Sequence, residues 1–150
     1  MYRRSITTVL TLTVIALAAA TAGAVMAADD GARSTLTVKT SSYGRILFDG
    51  RGFVLYGFTR DPRRKSVCAG ACAKACPPDI VEARPHTGTG LGAARLGTIK
   101  RPDGSLQATY AGRPLYYYIG DKKPGQIRCQ NVTEFGGVWR VVRPNGHLVR

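Results

Sequence analysis

The chain has 150 residues, with 22 Lys and Arg against 9 Asp and Glu and a formal net charge of +13. That length leaves room for one domain with one core. The charge draws polyanions without specifying a fold, and no helical stripe of three or four turns lies outside the N-terminal segment, which excludes a helical bundle.

Arg3 and Arg4 form a short positive region, Ile6 to Ala20 is largely apolar, and Val25-Met26-Ala27 satisfies the small-residue rule for cleavage. This predicts a secretory signal peptide over residues 1–27, because the apolar run falls short of the ~20 residues a spanning helix needs. Only Ile6 follows the arginine pair as a bulky apolar residue, so general secretion is expected over the twin-arginine route. The first cysteine is Cys68, so lipidation has no acceptor near the signal. Without Arg3 and Arg4 the exported chain keeps 20 basic and 9 acidic residues, a charge of +11. No transmembrane span is expected after cleavage.

Residues 28–43 read as a tail and a first strand, Thr35 to Thr40. The rest, 44–150, reads as one β-rich domain. Strands are predicted at Arg45 to Asp49 and Phe53 to Thr59, joined through Gly50-Arg51-Gly52. A basic loop follows, then Val67 to Ala75 as one or two helical turns ended by Pro77-Pro78. Ile80 to Leu96 has no period and reads as a long loop with one strand. Leu96 to Arg101 and Ser105 to Tyr110 flank the hairpin signal Asp103-Gly104. Pro114 to Ile119 reads as a strand. A loop carries Cys129, and strands are expected at Val138 to Arg143 and beyond the turn Pro144-Asn145-Gly146.

One pattern occurs twice, 60 positions apart. Leu55-Tyr56-Gly57-Phe58-Thr59-Arg60-Asp61 matches Leu115-Tyr116-Tyr117-Tyr118-Ile119-Gly120-Asp121, both L-Y-x-[FY]-x-x-D. Repetition of a strand-and-turn unit, with 18 Gly and 8 Pro, predicts an all-β domain of two hairpin-based halves related by a pseudo-twofold. The architecture would be a small sandwich or half-open barrel, stapled by disulfides. Tyr56 and Phe58, like Tyr116 and Tyr118, share a strand face at period 2 and are expected in the core. Asp61 and Asp121 fall where those strands end, placed to accept backbone N–H bonds in a turn. Their pairing also invites a hydrolase reading with twin carboxylates, but repetition of the whole motif fits a structural role better.

Cys68, Cys72, Cys76 and Cys129 are even in number in an exported chain, which favours two disulfides among three possible pairings. C-x3-C-x3-C is not a zinc spacing, and no C-x-x-C supports a redox dithiol. His86 and His147 lie in loops without a second ligand at i+2 or i+4. No metal or other cofactor is expected, and no G-x-S-x-G, H-E-x-x-H or P-loop pattern appears.

Several segments carry a family resemblance besides the two motif copies. They are Cys68-Ala69-Gly70-Ala71-Cys72-Ala73 with Pro77-Pro78, Gly97-Thr98-Ile99-Lys100-Arg101-Pro102-Asp103-Gly104, Gln107-Ala108-Thr109-Tyr110 and Phe135-Gly136-Gly137-Val138-Trp139. Over roughly residues 44 to 146 the chain resembles the bacterial secreted and lipoprotein family known by its Y-x-[FWY]-x-x-D motif, a secreted repeat of unknown function. Two departures stand out: the family's Trp before Pro-Pro is Cys76 here, and the lipidated Cys of many members is missing. The resemblance implies a Cys68–Cys72 bridge, since those two have family counterparts. Cys76 and Cys129, both extra, would then form the second.

These features predict an exported, non-catalytic envelope or extracellular module. Its partner would be an anionic wall polymer or lipid surface, with no specific nucleic acid. The basic cluster Arg60, Arg63, Arg64 and Lys65 is the candidate anion-binding edge. The alternative is a redox or metal-handling protein using the four cysteines with His86 or His147.

Overall fold

The computed structural model describes residues 35–150. The signal segment, its cleavage after Ala27 and the tail through Ser34 lie outside the described residues. Among the described residues ten short strands form three open sheets, none closed into a barrel. β1 (Thr35–Ser41) pairs antiparallel with β2 (Gly44–Asp49), and β5 (His86–Thr87) adds in parallel to β1. β3 (Tyr56–Phe58) and β9 (Val132–Glu134) flank β10 (Gly137–Val141). β7 (Leu106–Tyr110) lies between β4 (Ile80–Val81) and β6 (Leu96–Lys100), with β8 (Arg113–Pro114) also on β7. A single helical turn, α1 (Ala71–Ala75), and a 3-10 turn at Ala93–Arg95 complete the elements.

Several backbone bonds recur in the two halves. Leu55 N–H donates to Leu47 O at 3.1 Å, as Leu115 N–H donates to Ala108 O at 3.0 Å. Leu47 N–H donates to Val142 O at 2.9 Å, as Ala108 N–H donates to Asp79 O at 2.8 Å. Thr59 N–H donates to Val138 O, as Ile119 N–H donates to Ala75 O. The equivalences that follow are Tyr56 with Tyr116, Val142 with Asp79, and Trp139 with Cys76.

The return strand of each half therefore sits in the other. Asp79 and β4 follow the first motif in the chain yet bond Leu115 and β7 of the second. β10 follows the second motif yet pairs with β3 of the first. The halves meet where Tyr56 and Tyr116 exchange backbone bonds, N–H to O at 2.9 and 3.0 Å.

Period-2 alternation then sorts the motif side chains into two cores. Leu55 and Leu115 join Leu36, Leu47, Ala108, Tyr110 and Val142 in one. Tyr56, Phe58 and Tyr116 join Ile46, Phe48, Trp139 and all four cysteines in the other.

Several segments depart from expectation. Pro114 to Ile119 is not a continuous strand: beyond β8 only Tyr116 keeps bridges, to Tyr56 and to Pro78. Pro78 and Pro114 have no N–H to extend a ladder. The 80–96 loop contains two strands, β4 and β5, where one was expected. β9 falls in the stretch expected as a loop after Cys129. Its turn to β10 runs through Phe135 (φ 53) and Gly136 (φ 74), a left-handed pair that forms a tight hairpin without the usual Asn-Gly signal.

Candidate functional site

The motif tyrosines and aspartates cross between the halves. Tyr56 hydroxyl donates to Asp121 Oδ2 at 2.7 Å, and Tyr116 hydroxyl donates to Asp61 Oδ2 at 2.5 Å. The other oxygen of each carboxylate accepts a backbone amide, Val67 N–H on Asp61 Oδ1 and Arg128 N–H on Asp121 Oδ1. Each Asp also closes a turn, its own N–H donating to Phe58 O or Tyr118 O. The two carboxylates thus have separate, reciprocal sets of partners.

Burial raises the carboxyls of both Asp61 and Asp121 above the usual range, while the tyrosine and amide bonds pull them back. Burial, then the aspartate acceptor, pushes the phenols of Tyr56 and Tyr116 far above 10. Beside Tyr116, Ser66 Oγ lies 2.8 Å from its hydroxyl, and Arg101 donates to Ser66, Gln107 and Cys68 O. These bonds tie the basic loop and the disulfide to the repeat junction.

The raised phenols predict alkaline instability. In the folded chain Tyr56 and Tyr116 hold their protons, whereas in the unfolded chain they lose them above pH ~10. The stabilisation they provide is complete below that pH and declines above it by up to ~1.4 kcal/mol per unit for each. Denaturant unfolding at pH 8 and pH 11 is expected to differ by about 3 kcal/mol from these two groups. Tyr56→Phe/Tyr116→Phe should lose much less over the same interval. An equal loss would mean that the phenols ionise without unfolding.

Cys68 and Cys72 form a disulfide with a Cα–Cα distance of 5.3 Å. The expected Cys76–Cys129 bridge is not present: both are free, fully buried thiols. They are nonetheless neighbours, because Cys129 hydrogen-bonds to Cys76, and this bond and burial push its thiol strongly upward. A protonated, inaccessible thiol is poor at disulfide exchange, since the thiolate is the reactive form. The repeat explains their place. Cys76 stands where the other half has Trp139. Cys129 follows the amide bonded to Asp121, as Cys68 follows the amide bonded to Asp61.

Phe58 stacks on Trp139, with centroids 4.3 Å apart. Its equivalent Tyr118, facing Cys76, is only half-buried. The second aromatic of the motif is therefore core in one half and margin in the other.

His86 and His147 are exposed on β5 and in the last turn. Among the described residues no group of three or more His, Cys, Asp or Glu could hold a metal ion.

The basic cluster divides. Arg60 turns toward the β9–β10 hairpin and donates to Phe135 O at 2.8 Å. Arg63 donates to Ala111 O at 2.8 Å, and Arg64 N–H donates to Gly112 O at 2.7 Å with φ 59. Lys65 is exposed on the same loop. Arg63 and Arg64 instead join Arg95, about 30 residues away in sequence, around a surface cleft of about 470 Å³. Arg95 was not singled out from the sequence, and no local signal marks it.

The reciprocal Tyr–Asp bonds lock two interleaved hairpin units into one repeat domain. Residues 97–143 match the family described as a secreted repeat of unknown function, as the motifs suggested. The matched segment runs from β6 to the residue after Val142 and contains the second motif copy. No curated protein and no solved structure matches the chain. Among the described residues no helix is long and apolar enough to cross a membrane.

Proposed function

We propose that this chain is an exported, non-catalytic module of the cell envelope or extracellular space that holds anionic surface polymers. The observation that carries this reading is the division of charge. Asp49, Asp79 and Asp121 are buried and Asp61 is half-buried, each engaged inside the fold. Arg60, Arg63, Arg64, Lys65, Arg84, Arg95, Lys100, Lys122 and Lys123 are exposed. The outer surface therefore presents cations while much of the acidic complement lies inside, and such a field concentrates polyanions. Secretion of the family's repeats supports the compartment. The bonds from Tyr56 to Asp121 and from Tyr116 to Asp61 favour a structural role for both carboxylates over the twin-carboxylate hydrolase.

The test is retention of the exported chain on immobilised anionic wall polymer across a salt series. Binding at ~0.05 M salt should fall away toward 1 M, where the screening length shrinks to ~3 Å. Failure to bind at the lowest salt would sink the reading.

A further inference from the structure

We infer that the cleft between the basic loop and β6 is a phosphate-recognition site, and that its ligand is a phosphodiester-linked polyol chain. This rests on the anionic-polymer reading above and gives it a place and a chemistry. The cleft is built by the fold rather than by a local cluster. Arg63 and Arg64 approach from the first half, Arg95 and Thr109 from the second, and Gly97 and Gly112 leave its floor bare.

A Cβ at Gly97 would crowd Thr109 Oγ1 at 3.0 Å, and Gly112 has φ +75, which side chains rarely adopt. Gly97 of β6 pairs with Thr109 of β7, and both line the cleft, which therefore lies over this ladder. Among the described residues no carboxylate lines the cleft.

The arginines are held in place from behind. Arg63 is anchored on Ala111 O and Arg95 on Asn145 O, at 2.8 Å each. Neighbouring Arg113 donates to Gly146 O. Burial, and after it the nearby Arg63 charge, lowers the pKa of Arg113.

A guanidinium presents donors in a planar fork suited to phosphate oxygens. Three guanidinium groups brought from two parts of the chain, with Thr109 also lining the cleft, suit a tetrahedral anion better than a planar carboxylate. The volume exceeds that of one phosphate and falls in the range of small-ligand sites. Arg63, Arg64 and Arg95 are exposed, so a continuous chain can enter and leave the cleft.

The probes are a glycerol-phosphate oligomer, a polyglutamate of equal charge and phosphatidylglycerol vesicles, each titrated calorimetrically into the exported chain at fixed low salt. The oligomer is expected to bind tighter than polyglutamate. Arg64→Gln/Arg95→Gln should weaken oligomer binding by about tenfold or more, on the scale of charged hydrogen bonds. Lys122→Gln, outside the cleft, should change it less than about twofold. If wild type binds the oligomer and the double variant binds equally well, the cleft is overturned while the anionic-polymer reading stands. If wild type binds none of the probes, both fall. Equal affinity for polyglutamate overturns phosphate selection, and binding to vesicles alone overturns the polymer in favour of a lipid headgroup. Should loss of the Arg95 anchor unfold the double variant, Arg64→Glu decides by the same readout, because the bond from Arg64 to Gly112 is made by its backbone.

Discussion

Residues 35–95 and 96–150, expressed separately, are each expected to be unfolded, although each contains one complete hairpin and one complete motif. The reason is the exchange of return strands. In isolation the first half would lose β10 from β3, leaving Phe58 without Trp139, and would leave Tyr56 without its acceptor Asp121. The second half would lose β4 from β7 and the carboxylate of Asp61 from Tyr116. Each fragment is also at the size where a single core is marginal. The effect is therefore the entire folding free energy, of order 5–15 kcal/mol for a small domain. Dispersion in proton–nitrogen NMR spectra is the measurement. Poor dispersion in each fragment, recovered on mixing, is the expected result. A well-dispersed spectrum from residues 96–150 alone would show that the repeat is self-sufficient and the interlock incidental.

The interlock also marks how far the sequence carried. The duplicated L-Y-x-[FY]-x-x-D pattern announced two halves, and Asp103-Gly104 announced its hairpin, because such signals are local. Asp103 accepts from Ser105 N–H and Gly104 sits at φ 86, as that turn requires. That Tyr56 would bond Asp121 rather than Asp61 was not legible, since the motif has the same spacing in each copy and only the packing of the halves selects the partner. The short strands β4, β5 and β9 escaped for a related reason. They have two or three residues, too few for period 2 to stand out, and they form because a neighbouring strand edge is waiting.

The candidate cleft shows the same limit. Arg60 to Lys65 looks like one patch in sequence, yet the chain reverses at Asp61 and sends Arg60 to Phe135 and Arg63 to Ala111. Arg95 reaches the cleft from the end of the 3-10 turn before β6. Charge clustering along a chain predicts a charged surface, and only tertiary placement says which charges share a ligand.

Trp139→Ala is expected to be the most destabilising single truncation, by about 3–5 kcal/mol. Trp139 is fully buried, stacks on Phe58 at 4.3 Å and meets Tyr116 edge-on at 5.1 Å. Aromatic pairs contribute roughly 0.5–1.5 kcal/mol each beyond the area they bury, and Tyr116 links this cluster to the exchange at the centre of the molecule. The matching position in the other half holds Cys76, so Tyr118 has no ring in Trp139's place and remains half-buried. Tyr118→Ala should accordingly cost about half as much or less, scaling with the smaller apolar area it removes from water. Urea unfolding followed by circular dichroism compares the two variants directly. Equal losses would mean that the halves are energetically equivalent despite the cysteine, and that burial at Trp139 does not set the stability of the core.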